Sequence, residues 1–231
     1  MKVALIGIGL MGQALGEHLI TEGVSLSIFN RTAEKVKDLE QLGAEVSESA
    51  QAAIEVSDFC LLMLSDANAI NDVLDNIDPV VFDKKLFIQM GTISPEQSRA
   101  IANRITSLQG RYLECPVLGS LPEARTGKLI LMAGGDKTDF DHALALLNLI
   151  GNNPRHIGEV GQGATVKLAM NQLIAGLTAS FALSLALVQK EGIETEQFMN
   201  IVRESALYAP TFDKKLDRML EQEYANPNFP T

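Results

Sequence analysis

The chain has 231 residues, of which 46% are hydrophobic and 21% are charged, a composition typical of a folded globular protein with one large domain or two modest ones. Its formal net charge is −10, and an acidic surface repels phosphate backbones, so the composition argues against a nucleic-acid partner. Two cysteines in a chain of this length form no disulfide framework, which favours reduced thiols and a cytoplasmic location.

Short apolar runs alternate with helical patterns over the first 160 residues. The predicted strands are Val3–Ile6, Ser25–Phe29, Phe59–Leu64, Leu86–Gln89, Arg111–Glu114 and Lys128–Ala133. The predicted helices are Leu10–Thr21, Ala33–Leu42, Ser49–Glu55, Asn68–Leu74, Pro95–Ser107 and Asp136–Leu149. Such alternation indicates crossover connections, so residues 1–160 are predicted to form a Rossmann-like, doubly wound and mainly parallel α/β sheet.

Beyond this sheet, the pattern becomes entirely helical, and residues 161–231 are predicted to form a second, all-helical domain. A long helix is predicted over 164–190, ended by Gly192, and shorter helices follow at Thr195–Glu204 and Thr211–Gln222. The uncharged stretch Leu168–Gln189 is long enough to cross a bilayer. The soluble pattern before it favours instead a helix buried in a large core or an oligomer interface, so we expect no membrane association.

A glycine-rich turn follows the first predicted strand and opens the first predicted helix. It is the G-x-G-x-x-G sequence Gly7-Ile8-Gly9-Leu10-Met11-Gly12. In this position the first glycine permits a tight turn, the second lets a pyrophosphate approach the backbone, and the third lets the helix pack on the strand. The helix N-terminus then faces the phosphates, which predicts a dinucleotide cofactor.

The end of the second strand distinguishes the two nicotinamide cofactors. Sites for NAD usually have an acidic residue there, which bonds the ribose 2′-hydroxyl. This chain has Asn30, Arg31 and Thr32 instead, and a guanidinium can pair with a 2′-phosphate while the two neighbours donate hydrogen bonds. The charge pattern therefore predicts NADP.

Four segments in order resemble the β-hydroxyacid dehydrogenases, a family that includes 3-hydroxyisobutyrate dehydrogenases and glyoxylate/succinic semialdehyde reductases. They are Ile6–Gly12, Gly91–Pro95, Glu114–Ser120, and Gly161–Gly163 with the following Lys167 and Asn171. The resemblance implies that Leu64 and Thr92 also bind the cofactor. It implies a substrate loop made of Pro116, Val117, Leu118, Gly119 and Ser120. The segment Asn30–Thr32 is similar to the NADP-using reductase branch, and the helical domain implies a homo-oligomer, dimer or tetramer, formed through 164–190.

Two features depart from the family pattern. Leu118 stands where the family's loop usually has a serine near the substrate, and Ser120 is the candidate to supply a hydroxyl in its place. Family members also continue for some tens of residues beyond the position of Thr231, into a further helix that lines the active site. The sequence is therefore expected to be cut short relative to the family.

The resemblance implies hydride transfer between NADPH and a small aldehyde or keto acid, in which the carbonyl oxygen needs a proton donor. Lys167 is the candidate general acid/base, since a lysine near a helix N-terminus opposes the macrodipole and burial would lower its pKa further. Asn171, four residues on, projects from the same side of the helix and would hold the substrate or the lysine.

Alternative functions remain at this stage. An imine reductase resembles this family but commonly replaces the lysine, so Lys167 speaks against it. A non-catalytic NADP-binding interaction protein is a third possibility, because the serine is replaced by Leu118. The three histidines have no metal-ligand spacing with cysteines or carboxylates, so we expect no metal.

Overall fold

The computed structural model describes residues 1–222 and divides the chain into two compact units, residues 1–168 and residues from 169 onward. The strands are β1 Lys2–Ile6, β2 Ser25–Phe29, β3 Glu45–Val46, β4 Phe59–Leu62, β5 Leu86–Gln89, β6 Arg111–Glu114, β7 Val117–Leu118, β8 Ile130–Gly135 and β9 Arg155–Gly158. The helices are α1 Leu10–Thr21, α2 Lys37–Gln41, α3 Ala50–Glu55, α4 Ala67–Asp75, α5 Pro95–Ser107, α6 Leu121–Arg125, α7 Lys137–Ile150, α8 Gln162–Lys190, α9 Thr195–Glu204 and α10 Pro210–Leu220, with short 3-10 helices at Ala33–Val36 and Pro79–Phe82.

The first unit contains one sheet with the strand order β3-β2-β1-β4-β5-β6-β8-β7, and β9 pairs with β8. All pairings from β3 across to β6 are parallel, whereas β8 runs antiparallel to β6 and β7. The predicted doubly wound, mainly parallel sheet is confirmed. Its strand order reverses beside β1, and the carboxyl ends of the parallel strands at such a point are where α/β proteins bind ligands.

The strands are apolar because the sheet is covered on both faces. Leu5, Ile28 and Ile88 contribute to a core on one face. Cys60 and Phe87 contribute to a second core on the other face, where Phe87 stacks on Phe82 with ring centroids 5.1 Å apart. Helix starts are set locally: Ser94 and Gln97 form a capping box at the start of α5, and Asp136 caps α7 by accepting from the Thr138 amide at 2.7 Å.

Several boundaries differ from the predictions. The strand predicted over Phe59–Leu64 ends at Leu62, and the helix predicted over Ala33–Leu42 is a 3-10 turn followed by the short α2. The strands β3, β7 and β9 were not predicted. The first two are only two residues long, and β9 contains Arg155 and His156 and is not fully buried, so none shows a clear apolar run.

The second unit is helical over the residues described, as predicted. Its core contains the stacked rings of Phe181 and Phe212, 4.7 Å apart, together with Leu185, Met199 and Leu216. Helix α8 ends at Lys190, and Gly192 follows with a φ of 71°, the left-handed geometry that ends many helices.

Helix α8 was expected to be buried in a large core or in an oligomer interface, and in the single chain much of it is exposed. Leu183 is 75% exposed and Leu187 is 63% exposed. It is the single helix within residues 1–222 that is long and apolar enough to cross a membrane, a test that core helices of soluble proteins also pass.

Candidate functional site

The glycine turn between β1 and α1 has the geometry that its sequence predicts. Gly7 has a φ of +99°, and a Cβ there would lie 2.3 Å from the Met63 carbonyl oxygen. A Cβ on Gly12 would lie 2.1 Å from the Gly7 carbonyl oxygen, so only glycine lets α1 sit this close to the strand. By contrast, a Cβ on Gly9 would meet no described heavy atom within 4 Å. Gly9 therefore borders open space.

The N-terminus of α1 faces this open space without a side-chain cap. Gly9 is the N-cap residue, and among the described residues no side chain accepts from the first turn at that position. The first intrahelical bond runs from the Gln13 amide to the Gly9 carbonyl at 2.8 Å, and no acidic residue lies in the first turn, where Leu10 and Met11 follow Gly9. Free amides and the positive end of the helix dipole favour an anion, so the turn fits a pyrophosphate.

Asn30 connects the end of β2 to the glycine turn. Its Oδ1 accepts from the Ile8 amide at 2.9 Å, and its Nδ2 donates to the Thr32 carbonyl at 3.0 Å. Arg31 and Thr32 are exposed beside it. The role of Asn30 is therefore at least partly to hold the turn, while the two exposed side chains remain available to a ligand.

A cleft of about 460 Å³ begins at the glycine turn and extends along the end of β2, a size typical of small-molecule sites. It is lined by Gly7, Gly9, Asn30, Arg31, Thr32 and Leu64 among the predicted cofactor residues. Lys35 also lines it, as does Asp72 from α4. Lys35 was missed because nothing in the sequence shows that the 3-10 turn after Thr32 brings a second cation beside Arg31.

The cleft fits a dinucleotide in three respects. It has an uncapped helix start, open space beside Gly9 and two cations, Arg31 and Lys35, in its lining. Of the predicted cofactor residues, Leu10, Met11 and Gly12 lie in the glycine turn but not in the lining of this cleft, and Thr92 lies outside the lining as well. It is exposed and lies just before the start of α5, at the carboxyl end of β5.

The predicted substrate loop, residues 116–120, runs along β8. Val117 and Leu118 form β7, opposite Leu131 and Ile130, and the Pro116 carbonyl accepts from Met132 at 3.2 Å. Gly119 then turns the chain with a φ of +144°. The Leu118 side chain is half-buried.

The hydroxyl of Ser120 is already engaged within this loop. It donates to the Glu123 carboxylate at 2.5 Å, and the Ser120 amide donates to the same oxygen at 2.7 Å. A hydroxyl has one proton, so in this conformation Ser120 can accept a further hydrogen bond but cannot also donate one to a substrate carboxylate.

Lys167 lies one turn into α8 and is 8% exposed. Burial lowers the pKa of its ammonium group below the ordinary lysine value. Asn171 is exposed and lies four residues further along the same continuous helix. A lysine with a lowered pKa gives up its proton more readily near neutral pH, which is what a general acid requires.

Sequence reasoning missed the role of Glu114, at the carboxyl end of β6. Its side chain is fully buried, and its Oε1 accepts from the Gly161 amide at 2.7 Å and from the Ala164 amide at 3.1 Å. The available signal was an acidic residue ending an otherwise buried strand, because buried carboxylates need specific partners. The neighbouring Cys115 is inert, since burial first and the Glu114 charge second raise its pKa to about 12.

Within residues 1–222 no group of three or more histidine, cysteine or acidic side chains is arranged to hold a metal ion. The two cysteines are free and buried.

Comparison with known sequences identifies close relatives. The family described as the NAD binding domain of 6-phosphogluconate dehydrogenase matches residues 2–158. Glyoxylate/succinic semialdehyde reductase 1 of Arabidopsis thaliana is 33% identical over 233 residues, covering 100% of this chain and 80% of that protein. The human cytokine-like nuclear factor N-PAC is 28% identical, covering 99% of this chain but 42% of that protein.

Comparison with solved structures extends the similarity to the whole described fold. A 3-hydroxyisobutyrate dehydrogenase from Salmonella typhimurium superposes with a TM-score of 0.86 at 24% identity, covering 99% of this chain and 81% of that one. An imine reductase from Pseudomonas sp. superposes with a TM-score of 0.82 at 22% identity, covering 97% and 79%. At these identities the structures establish the fold alone.

Proposed function

Because the chain belongs to the β-hydroxyacid dehydrogenase family, we propose that it is an NADP-dependent oxidoreductase that transfers a hydride between NADPH and a small aldehyde or keto acid. Glyoxylate and succinic semialdehyde are the candidate substrates, because the Arabidopsis relative that spans all of this chain is named as their reductase. A related β-hydroxyacid and its carbonyl partner form a further candidate pair.

The observation that carries the choice of NADPH is the pair of cations in the cleft. Arg31 and Lys35 both line the cleft, and the carboxylate that NAD sites have at the end of the second strand is replaced by Asn30. A 2′-phosphate carries about two negative charges, so two cations favour it over a hydroxyl through charge-assisted hydrogen bonds. Asp72 lines the cleft from α4, on a different element.

The chemistry requires a proton at the substrate oxygen. When bound, the nicotinamide supplies the two electrons and the hydrogen that reduce the carbonyl carbon. Lys167 donates its proton to the oxygen as negative charge develops there, and the product is an alcohol with a neutral lysine left behind. Water then reprotonates the lysine. Asn171 holds the substrate oxygen or the lysine amine in place, and residues 116–120 bind the rest of the substrate.

The first experiment measures reduction of glyoxylate and of succinic semialdehyde with NADPH and with NADH. The double variant Arg31→Ala/Lys35→Ala should lower kcat/KM for NADPH by about 100-fold, the effect of losing two charge-assisted contacts, and leave the value for NADH nearly unchanged. Lys37→Ala is the matched control, because Lys37 is an exposed lysine just beyond the cleft lining. Equal rates with NADH and NADPH in the unmodified chain would contradict the assignment to NADP.

The substrate loop favours a second candidate function, an NADP-binding protein without turnover. Leu118 occupies the position of the usual loop serine, and the hydroxyl of Ser120 is committed to Glu123. This candidate predicts tight NADPH binding with no turnover of any aldehyde, keto acid or cyclic imine, and no effect of Lys167→Met on binding. Turnover of a cyclic imine alone would instead support the imine reductase function.

The apolar surface of α8 underlies a proposed homo-oligomer, a dimer or tetramer. Leu173, Leu183 and Leu187 are each more than half exposed in the single chain, and a leucine surface of this kind is usually covered by a partner. Leu183→Glu should convert the oligomer to a monomer in analytical ultracentrifugation. Val80→Glu, which changes a similarly exposed residue of the first unit, serves as the control. A wild-type chain that sediments as a monomer would contradict this proposal.

We propose that the protein lies in the cytoplasm and binds neither a membrane nor a nucleic acid. The buried free thiols suit a reducing compartment, and the net charge of −10 disfavours phosphate backbones. Cell fractionation tests the location, since recovery in the membrane pellet after a carbonate wash would indicate that α8 inserts into a bilayer.

A further inference from the structure

The N-terminus of α8, the helix with Lys167, has no cap of its own. Its first intrahelical bond runs from the Thr165 amide to the Gly161 carbonyl at 3.0 Å, which makes Gly161 the N-cap residue. A glycine has no side chain with which to accept from the amides of the first turn. Those amides must find acceptors elsewhere, because the segment is buried at Gly161, Gly163 and Ala164.

Glu114 supplies the missing cap from a distant strand. One carboxylate oxygen, Oε1, accepts from the amide of the N-cap residue Gly161 at 2.7 Å and from the amide of Ala164, the third helical residue, at 3.1 Å. In an ordinary capping box two side chains of the helix itself share these two tasks. Here one residue 47 positions earlier in the sequence performs both.

The second oxygen of Glu114 is held by a chain of hydroxyls. The Ser98 hydroxyl donates to Oε2, and it lies 2.9 Å from the Tyr112 hydroxyl. Because Ser98 has given its one proton to the carboxylate, Tyr112 must be the donor in the second bond. Burial raises the pKa of Tyr112 well above its usual range, which keeps that proton in place.

Two glycines fix the space around the carboxylate, and a third lies against Arg99 at the start of α8. A Cβ on Gly134 would lie 2.4 Å from Glu114 Oε1, and a Cβ on Gly163 would lie 3.2 Å from the same atom and 2.3 Å from the Met132 carbonyl oxygen. A Cβ on Gly161 would meet the Arg99 guanidinium. The backbone of β8 and of the α8 start therefore closes around one carboxylate oxygen.

Burying this carboxylate is expensive, and no cation compensates for it. Among the described residues, no basic side chain forms an ion pair with Glu114, which is 0% exposed. The charge is balanced by three hydrogen-bond donors and by the positive end of α8. Because the buried Glu114 carboxylate is held by these contacts, it determines where α8 begins and in which direction the first turn of the helix points.

We propose that Glu114 is a positioning residue for the reaction: by accepting from Gly161 and Ala164 it fixes the first turn of α8 and so the direction in which Lys167 presents its amine. Lys167 follows Ala164 by three residues, less than one turn. This inference rests on the proposed function, which gives Lys167 the role of proton donor. Glu114 itself contacts neither substrate nor cofactor in this role.

The test compares two changes at Glu114 in the full chain. Glu114→Ala removes the acceptor and should lower kcat by about 100-fold, the effect of displacing a catalytic group by about 1 Å. Glu114→Gln keeps an oxygen for both amides, and its Nε2 can donate to Ser98, so kcat should recover to within about fivefold of wild type. The NADPH Kd should stay within about twofold in both variants, because the cleft at the end of β2 is made of other elements.

A loss of stability must be separated from a loss of positioning. Phe82→Leu is the matched control, since Phe82 is fully buried in a core of the first unit and takes part in none of the hydrogen bonds that Glu114 forms. It should lower the melting temperature without lowering kcat per folded molecule. Hydrogen exchange of residues 158–168 gives a readout that needs no turnover: exchange should be about tenfold faster in Glu114→Ala than in Glu114→Gln.

Lys167→Met, measured in parallel, separates the possible failures. If Lys167→Met keeps wild-type kcat, the role of the lysine in the proposed function is wrong, and the inference about positioning falls with it. If Lys167→Met is inactive and Glu114→Ala keeps a kcat within threefold of wild type, the positioning inference alone is overturned. If Glu114→Ala does not fold, failure of Glu114→Gln to restore both kcat and slow exchange overturns it. A chain without turnover refutes the proposed function. Unchanged hydrogen exchange of residues 158–168 in Glu114→Ala would then independently refute the inference that Glu114 fixes the first turn of α8.

Discussion

Two alanine substitutions in the glycine turn separate its role in folding from its role in binding. Gly9→Ala adds a methyl group where no described heavy atom lies within 4 Å, and the φ of −87° at Gly9 suits alanine. Gly12→Ala places a Cβ 2.1 Å from the Gly7 carbonyl oxygen. Both changes are the same size and lie three residues apart, so each is the control for the other.

The magnitudes follow from these contacts. Carbon and oxygen rarely approach closer than about 3.3 Å, so in Gly12→Ala α1 must shift by about 1 Å. Such overpacking costs about 1–3 kcal/mol, of which the higher helix propensity of alanine returns up to about 1 kcal/mol. The melting temperature should fall by about 2–8 °C. Gly9→Ala should change stability by only a few tenths of a kcal/mol, roughly the effect of exchanging a weak N-cap residue.

The two variants should rank differently in cofactor binding: Gly9→Ala, which hardly changes stability, should nevertheless weaken NADPH binding. In Gly9→Ala the methyl group occupies the space above the helix N-terminus, so the NADPH Kd measured by fluorescence titration should rise by at least about tenfold, or 1.4 kcal/mol. Thermal unfolding followed by circular dichroism supplies the stabilities. Wild-type NADPH affinity in Gly9→Ala would refute the placement of the pyrophosphate at this turn, and a wild-type melting temperature in Gly12→Ala would refute the tight packing of α1.

Three further changes test other parts of the first unit. Lys167→Met should abolish reduction while leaving the melting temperature at neutral pH equal to or above wild type, because burial opposes the lysine charge. In the wild type, reductive kcat/KM should fall as pH rises through the lowered pKa of Lys167. Stability should rise with pH between that pKa and the higher one of the unfolded chain, where the unfolded state binds more protons, and Lys167→Met should lack this rise. Gln89→Met removes a buried amide nitrogen that has no hydrogen-bond partner among residues 1–222, so chemical denaturation should give an unchanged or higher free energy of unfolding; a loss above about 2 kcal/mol would be contrary to expectation. Arg111→Ala leaves the mostly buried Asp139 without its guanidinium and should cost about 2 kcal/mol in the same assay, with Arg111→Lys losing less.

The fold class could be predicted from the sequence because the parallel strands are short, mostly apolar runs bounded by helical patterns. The runs Phe59–Leu62 and Leu86–Gln89 are buried at every position. The same reasoning fails for β3 and β7, whose two-residue pairings depend on a neighbouring strand rather than on their own residues. The order of strands in the sheet is likewise a tertiary property that no local pattern contains.

The candidate site divides along the same line. The geometry of the glycine turn could be predicted because it depends on backbone contacts within and beside the turn. The contributions of Lys35 and Glu114 could not, because both depend on contacts between elements: a 3-10 turn beside β2 in one case, and the start of α8 against the end of β6 in the other. The long helix was predicted to begin at Ala164, whereas it begins at Gln162, where the Glu114 cap sets its first turn.

In the proposed function, cofactor choice and proton transfer depend on different strands of one sheet edge. The cleft with Arg31 and Lys35 is built at the carboxyl ends of β1, β2 and β4, whereas the anchor of α8 is built at the carboxyl end of β6. Since β5 separates these groups in the sheet order, none of the hydrogen bonds described above joins the two sets of side chains. The free-energy effects of substitutions in the two sets should therefore add. The fold loss in kcat/KM when Arg31→Ala/Lys35→Ala is combined with Glu114→Ala should equal the product of the two separate losses. Strong coupling between them would mean that cofactor binding itself reorganises the start of α8.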